Sequence, residues 1–280
     1  MRFYDRTNEL AELQRINKLS FNDHSRLTVV TGRRRIGKTS LIMRSIEDSP
    51  TVYLFVGCKN EATLCAEFIP VIAQSLETSV PNEIRTFRSL FQYLMELSVS
   101  RVFNLVIDEF QEFYNINESV YSDMQNLWDQ YRRKSRMNLI VSGSIHSLMQ
   151  KIFQNSKEPL FGRADNIIKL SAFSLTTLKE IIYDHRPDYS NDDLLALYAF
   201  TGGVPKYVEL FCDNGALSVD EMINFMIREN SPFTDEGKNL LVEEFGKNYA
   251  TYFSILSAIS GGINTQPEIC LLYTSPSPRD

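Results

Sequence analysis

Eight consecutive residues, Gly32, Arg33, Arg34, Arg35, Ile36, Gly37, Lys38 and Thr39, fit the spacing G-x-x-x-x-G-K-[ST]. The apolar run 27–31 precedes them and residues 40–43 open a helical pattern behind them, which is the strand, loop and helix order this spacing needs. The glycines let the backbone curl until successive N–H groups, backed by the helix N-terminus, converge on phosphate oxygens. Gly32 through Ser40 are therefore the expected phosphate cradle. Lys38 would set a point charge between the β- and γ-phosphates, and the Thr39 hydroxyl would supply one oxygen to Mg2+.

A second group follows the apolar run 103–107, which ends in Asp108 and Glu109. Asp108 would orient the magnesium or its water shell, and Glu109 would polarise an attacking water as general base. The alternative is an acidic pair that only ends a strand. Another strand, 51–56, stands between the two motifs in the sequence, which suits the ATPase branch with an additional central strand better than a GTPase. No Asn-Lys-x-Asp guanine signature occurs, so ATP is the expected nucleotide.

Four further places admit two readings each. Ser142, Gly143 and Ser144 at a strand tip could sense a terminal phosphate or cap the next helix. Arg163 could reach the phosphates as a catalytic arginine finger or be a surface loop residue. Arg33, Arg34 and Arg35 are not needed for cradling, and a solvated or inter-domain role competes with phosphate contact. The run 132–136 ends a helix, where cations suit the dipole; DNA contact is its other reading. His24, His146 and His185 lack partners at metal-ligand spacing, and nothing resembles a nucleophile triad.

The elements that must position these residues follow from hydrophobic periodicity. Strands are expected at 27–31, 51–56, 103–107, 137–142 and 166–170, with helices near 39–48, 61–78, 86–100, 118–135 and 145–154. Such alternation predicts an α/β fold, a parallel sheet covered by helices. Beyond 173 only helical patterns remain, near 175–185, 191–200, 205–213, 218–229 and 249–260. The expected organisation is a nucleotide-binding domain at 1–173, a helical lid at 174–235, and a linker running into a further element at 236–269.

Composition bounds the rest. The 280 residues are 43% hydrophobic and 23% charged, as in ordinary globular chains, and a net charge of −6 gives no global basic field for coating nucleic acid. No apolar run approaches the roughly 18 residues of a membrane helix, and the N-terminus lacks a signal-peptide core, so a cytoplasmic chain is expected. The four cysteines show no metal or disulfide spacing. Residues 270–280, CLLYTSPSPRD, resemble the in-frame translation of a transposase adapter used in shotgun library preparation. They are read as a non-native tail, with the natural frame expected to continue past Ile269.

Together these residues resemble the archaeal-type ATPases, a prokaryotic group among the STAND and AAA-like P-loop ATPases. The resemblance spans residues 2 to about 269. It rests on the segment 3–10, the phosphate loop, the strand into Asp108 and Glu109, the stretch 159–163, and Thr201 to Tyr207. Thr7 stands where the family usually has Glu. The resemblance implies that Arg6 and its neighbours lie near the adenine and that Pro205, carried by the lid, closes over the base. From the residues alone, 202–205 is a turn with Pro at a helix start. It also implies that 252–269 begins a winged helix, whose remainder this fragment lacks. The implied function is an ATP-binding, Mg2+-dependent, ATP-hydrolysing switch. The alternatives are a nucleotide-gated, DNA-associated regulator with slow turnover and a non-hydrolysing ATP-binding scaffold. Implied partners are ATP, DNA through the missing winged helix, and further copies of the chain; no membrane is implied.

Overall fold

Alternating apolar strands and amphipathic helices assemble as the periodicity requires. The computed structural model describes residues 2–81, 83–234, 236–263 and 265–273. Helix α1 (Thr7–Asn22) precedes β1 (Arg26–Thr31), and α2 (Lys38–Ser45) leads to β2 (Thr51–Phe55). Next come α3 (Glu61–Leu76), α4 (Phe87–Ser100), β3 (Phe103–Asp108), α5 (Phe113–Ile116) and α6 (Ser119–Tyr131). Strand β4 (Met137–Gly143), α7 (His146–Gln154) and β5 (Asn166–Lys169) complete the α/β part. All pairings are parallel, in the order β2-β3-β4-β1-β5.

Each inner strand is buried on both faces, and the period-two alternation divides its side chains between two cores. Leu27, Val29, Leu105, Ile107, Leu139 and Val141 enter the larger core, which holds residues of α3, α4, α6 and α7. Val30, Val106 and Ile140 face the opposite way, onto Leu13 of α1 and Leu41 and Ile42 of α2. The sequence pattern left α1 out. Its Leu13 and Ile16 are buried while Leu19 is exposed, and its N-cap is a left-handed Arg6 rather than a Ser, Thr, Asp or Asn that would mark a start.

Beyond β5 the described residues form helices only: α8 (Leu175–His185), α9 (Asn191–Thr201), α10 (Pro205–Asp213), α11 (Val219–Ile227), α12 (Glu236–Phe245), α13 (Tyr249–Ser260) and α14 (Gln266–Tyr273). Three of these helices, α8, α9 and α11, have starts legible as caps. Ser174 accepts from Thr177 N, and Ser190 with Asp193 and Ser218 with Glu221 make reciprocal capping boxes, each worth about 1 kcal/mol. The chain divides into two compact units, Met1–Gly215 and Ala216–Asp280. Helices α8 to α10 belong to the first unit. In the second, Phe225 meets Phe233 edge-on at 5.9 Å and Phe245 stacks on Tyr252 at 3.7 Å. Of the tail read as adapter-derived, 270–273 lie in α14 and 274–280 fall outside the described residues. Among the described residues, no helix is long and apolar enough to cross a membrane.

Cys65 and Cys212 are buried, and desolvation pushes both thiols up to about 12, whereas Cys58 and Cys270 are exposed. A thiol at that value is about one part in ten thousand thiolate at pH 8. Iodoacetamide treatment of the native protein at pH 8, read by peptide mass spectrometry, should label Cys58 and Cys270 and spare Cys65 and Cys212 until denaturant is added.

Candidate functional site

Because every strand is parallel, the C-terminal ends of β1, β3 and β4 reach one edge of the sheet, where loops gather. The loop from β1 turns into α2 at Gly37, whose φ of 89° is left-handed, so its amide opens the helix without a Cβ penalty. Arg35, with φ of 66°, carries the same turn at a cost of roughly 1–2 kcal/mol. Lys38 is buried, and its Nζ donates to the carbonyls of Gly32 at 3.0 Å and Arg33 at 3.3 Å. Burial lowers its pKa, and the charges of Glu109 and Asp108 oppose that fall. The ammonium thus braces the loop that surrounds it.

Asp108 ends β3 and is buried. Desolvation would raise its pKa, but hydrogen bonds from Ser142, Tyr53 and Thr39 and from the backbone of Glu109 outweigh it, and the carboxyl stays below its ordinary value. Thr39 Oγ1 donates to Asp108 Oδ2 at 3.0 Å, and Tyr53 OH donates to the same oxygen at 2.6 Å. On Oδ1, Ser142 Oγ makes a short hydrogen bond and Glu109 N donates at 3.0 Å. Burial also raises the Tyr53 phenol pKa, so at neutral pH this hydroxyl is a donor and Asp108 the acceptor.

Glu109 sits in left-handed backbone at φ 53° and lines the cleft. Its Oε2 accepts from Gln111 Nε2 at 2.5 Å and from Ser144 Oγ at 2.7 Å. Ser142 and Ser144, expected either to sense phosphate or to cap a helix, thus brace the two acids from the tip of β4. α7 has no side-chain cap.

Above these groups opens a cleft of about 870 Å³, lined by seven arginines and lysines and four carboxylates in a chain whose net charge is −6. Arg34, Arg35, Ile36, Gly37, Lys38, Thr39 and Ser40 contribute the loop side of its lining. Arg6 and Pro205 also line it. Arg6 is bonded to Ser171 O and to Glu9 Oε1 at 3.5 Å, and lies 5.5 Å from the ring centre of Phe173. Pro205 starts α10, whose Lys206 N donates to Arg35 O at 3.4 Å while Arg35 donates to Tyr207 OH at 3.4 Å. The phosphate loop is therefore tied to α10 within one unit.

Arg163 is not brought to this cleft. Its guanidinium donates to Asp129 Oδ2 at 3.0 Å and to Phe161 O at 2.9 Å. In the basic run that ends α6, Arg132 bonds Asp165 at 3.2 Å and Lys134 stands 4.2 Å from the ring centre of Tyr131. Tyr53 and Gln111 belong to the site and escaped the sequence reading. Tyr53 alone signals itself weakly, as one of two hydroxyls, with Thr51, in a mostly apolar strand.

The donor set suits a hard divalent cation. Magnesium takes oxygen ligands, commonly one or two from the protein with the remainder from phosphates and water, and here an ionised carboxylate and a hydroxyl stand 3.0 Å apart at the cleft floor. The cation excess above them matches a polyphosphate.

The model of an ATPase domain found predominantly in Archaea matches residues 3–211. The uncharacterized protein MJECL04 of Methanocaldococcus jannaschii is 27% identical over 267 residues, covering 95% of this chain. The chain spans about half of that relative, 56% of its length. The Walker-type ATPase PABY2304 of Pyrococcus abyssi superposes with a TM-score of 0.68 at 19% identity, over 99% of this chain and 86% of that one. The ORC2 protein of Aeropyrum pernix, solved as ADPNP-ADP complexes, superposes with a TM-score of 0.63 at 16% identity, over 97% and 79%. At these identities the two structures share the fold.

The turn before α10 gives a test of how the cleft wall is held. A Cβ on Gly203 would lie 2.5 Å from Phe173 O, in backbone of φ 70°, whereas one on Gly202, at φ 56°, meets nothing within 4 Å. Gly202→Ala should cost about 1 kcal/mol from backbone strain alone, and Gly203→Ala about 2–3 kcal/mol or more. Urea unfolding of the two variants checks the order; equal losses would mean that the close approach to Phe173 is unimportant.

Proposed function

The chain belongs to the family of ATPase domains found predominantly in Archaea, and from that membership and its site we propose that it binds ATP with magnesium and hydrolyses it to ADP and phosphate. One observation carries the reading. Thr39 of the phosphate loop and Asp108 of the acidic strand, 69 residues apart, meet at 3.0 Å beneath a cation-rich cleft.

The loop amides and Lys38 would bind and orient the phosphates, with Lys38 already placed by two loop carbonyls. Thr39 and Asp108 would hold magnesium, which when bound neutralises charge on the phosphate oxygens. Glu109 would take a proton from the attacking water, and Gln111 and Ser144 hold its carboxylate for that task. Arg6 and Pro205 both line the cleft, and the base would lie between them. Arg163, tied to Asp129, has no part in this reading. The tie from Arg35 to Lys206 and Tyr207 supports a switch, because a loop that tightens on phosphates pulls on α10. The reading stops at the nucleotide, since a shared fold at 16–19% identity does not carry partners across.

Two substitutions separate binding from chemistry. Lys38→Ala should abolish the thermal stabilisation that Mg2+ and ATP confer on the wild type, and an unaltered shift removes Lys38 from the site. Glu109→Gln should still be stabilised by nucleotide while phosphate release falls about 100-fold or more, the usual contribution of a general base. A Glu109→Gln variant that turns over at the wild-type rate assigns the base elsewhere.

A further inference from the structure

Asp108 carries more hydrogen bonds than its place in the site requires. An ionised carboxylate offers about four lone-pair positions. All four are matched: Tyr53 OH at 2.6 Å and Thr39 Oγ1 at 3.0 Å on Oδ2, and Ser142 Oγ and Glu109 N on Oδ1. For a cation, or a water bound to one, to engage this carboxylate, a donor must leave. The four are not equally able to do so. Glu109 N is backbone at the end of β3, and Ser142 is fully buried within β4. Thr39 is exposed and also lines the cleft, but its hydroxyl is the other expected magnesium ligand and its place in the first turn of α2 is set by the phosphate loop. Tyr53 is only partly buried, lines the cleft, and belongs to β2, one of the two edge strands of the sheet.

We propose that Tyr53 is a gate on the divalent-cation site: its hydroxyl occupies the cleft-side position of Asp108 Oδ2 and must be displaced for magnesium or a magnesium-bound water to engage that oxygen. The inference rests on the ATP and magnesium reading of the site and deepens it by naming what sets the cation requirement. Tyr53 is a positioning residue in this scheme. It acts through Asp108 and touches no phosphate. A hydrogen bond to a charged acceptor is among the stronger kinds, so its displacement weakens cation binding by a measurable factor.

The test is a magnesium titration of ATP-induced thermal stabilisation, run on the full chain without reference to turnover. In wild type the stabilisation should rise with Mg2+ to a defined midpoint. Tyr53→Phe keeps the ring that packs against the α1 and α2 core and removes only the hydroxyl, and its midpoint should fall about tenfold, on the scale of one such hydrogen bond. Ser142→Ala, which strips a donor from the inward oxygen, should not lower the midpoint. A Tyr53→Phe midpoint equal to or above wild type overturns the gate, as does an equal fall in Ser142→Ala. Should Tyr53→Phe fold poorly, Tyr53→Leu supplies the same comparison without a hydroxyl. A wild type that shows no Mg2+-dependent response to ATP overturns the nucleotide reading itself, and the gate with it.

Discussion

One buried carboxylate organises the cleft edge of the sheet. Taking Asp108 out of water costs several kcal/mol unless its lone pairs are matched. The match draws donors from four segments: the phosphate loop through Thr39, β2 through Tyr53, β4 through Ser142, and the chain's own next amide. The register of three strands and the seating of the phosphate loop are therefore coupled to one charge. The parallel sheet makes this arrangement possible, since only parallel neighbours bring the C-terminal ends of β1, β3 and β4 to the same edge. Removing the charge would leave the buried Ser142 hydroxyl, and those of Thr39 and Tyr53 on separate elements, without their acceptor.

What was legible in the sequence, and what was not, follows from the range of the interactions. The phosphate loop, the acidic strand end and five strands declare themselves locally, through spacing and through apolar runs that a two-faced burial demands. Spatial neighbours do not. The sequence placed 51–56 between the two motifs, but in the sheet the strand between β1 and β3 is β4, and β2 lies at the edge. Tyr53 joins the site only because β2 pairs with β3 in a register that sets Tyr53 beside Val106 and Phe55 beside Asp108. No local pattern states that register. Gln111 was hidden for a different reason. It sits two residues after Glu109, in a 3-10 turn, and reaches back because Glu109 adopts left-handed backbone that nothing in its residue type requires.

The arginines show the same division between composition and placement. Counted along the chain they look like a phosphate-binding reserve, yet Arg163 is spent on Asp129 and Arg6 on the carbonyl of Ser171. Arg35 turns toward Tyr207 of α10. Lys38 differs in kind. It is buried, its position is fixed by carbonyls of its own loop, and two nearby carboxylates raise a pKa that burial alone would lower further. Position, more than the number of charges, makes it the cation of the site.

That balance would also let an acidic chain attract a polyanion. At −6 the molecule as a whole repels negative ligands, and only a local reversal can recruit one. The cleft supplies the reversal, with seven basic side chains against four acidic ones. Surface charge of this kind is screened within about 8–10 Å at physiological salt, so recruitment depends on residues at the cleft mouth rather than on the remote acidic surface. Deeper in, Asp108 and Glu109 would oppose a bare triphosphate, and the opposition is relieved by a divalent cation between the two sets of negative charge. On the proposed reading, the same two carboxylates that would repel a free nucleotide would favour a magnesium-bearing one, and that discrimination would lie in the floor of the cleft rather than its rim.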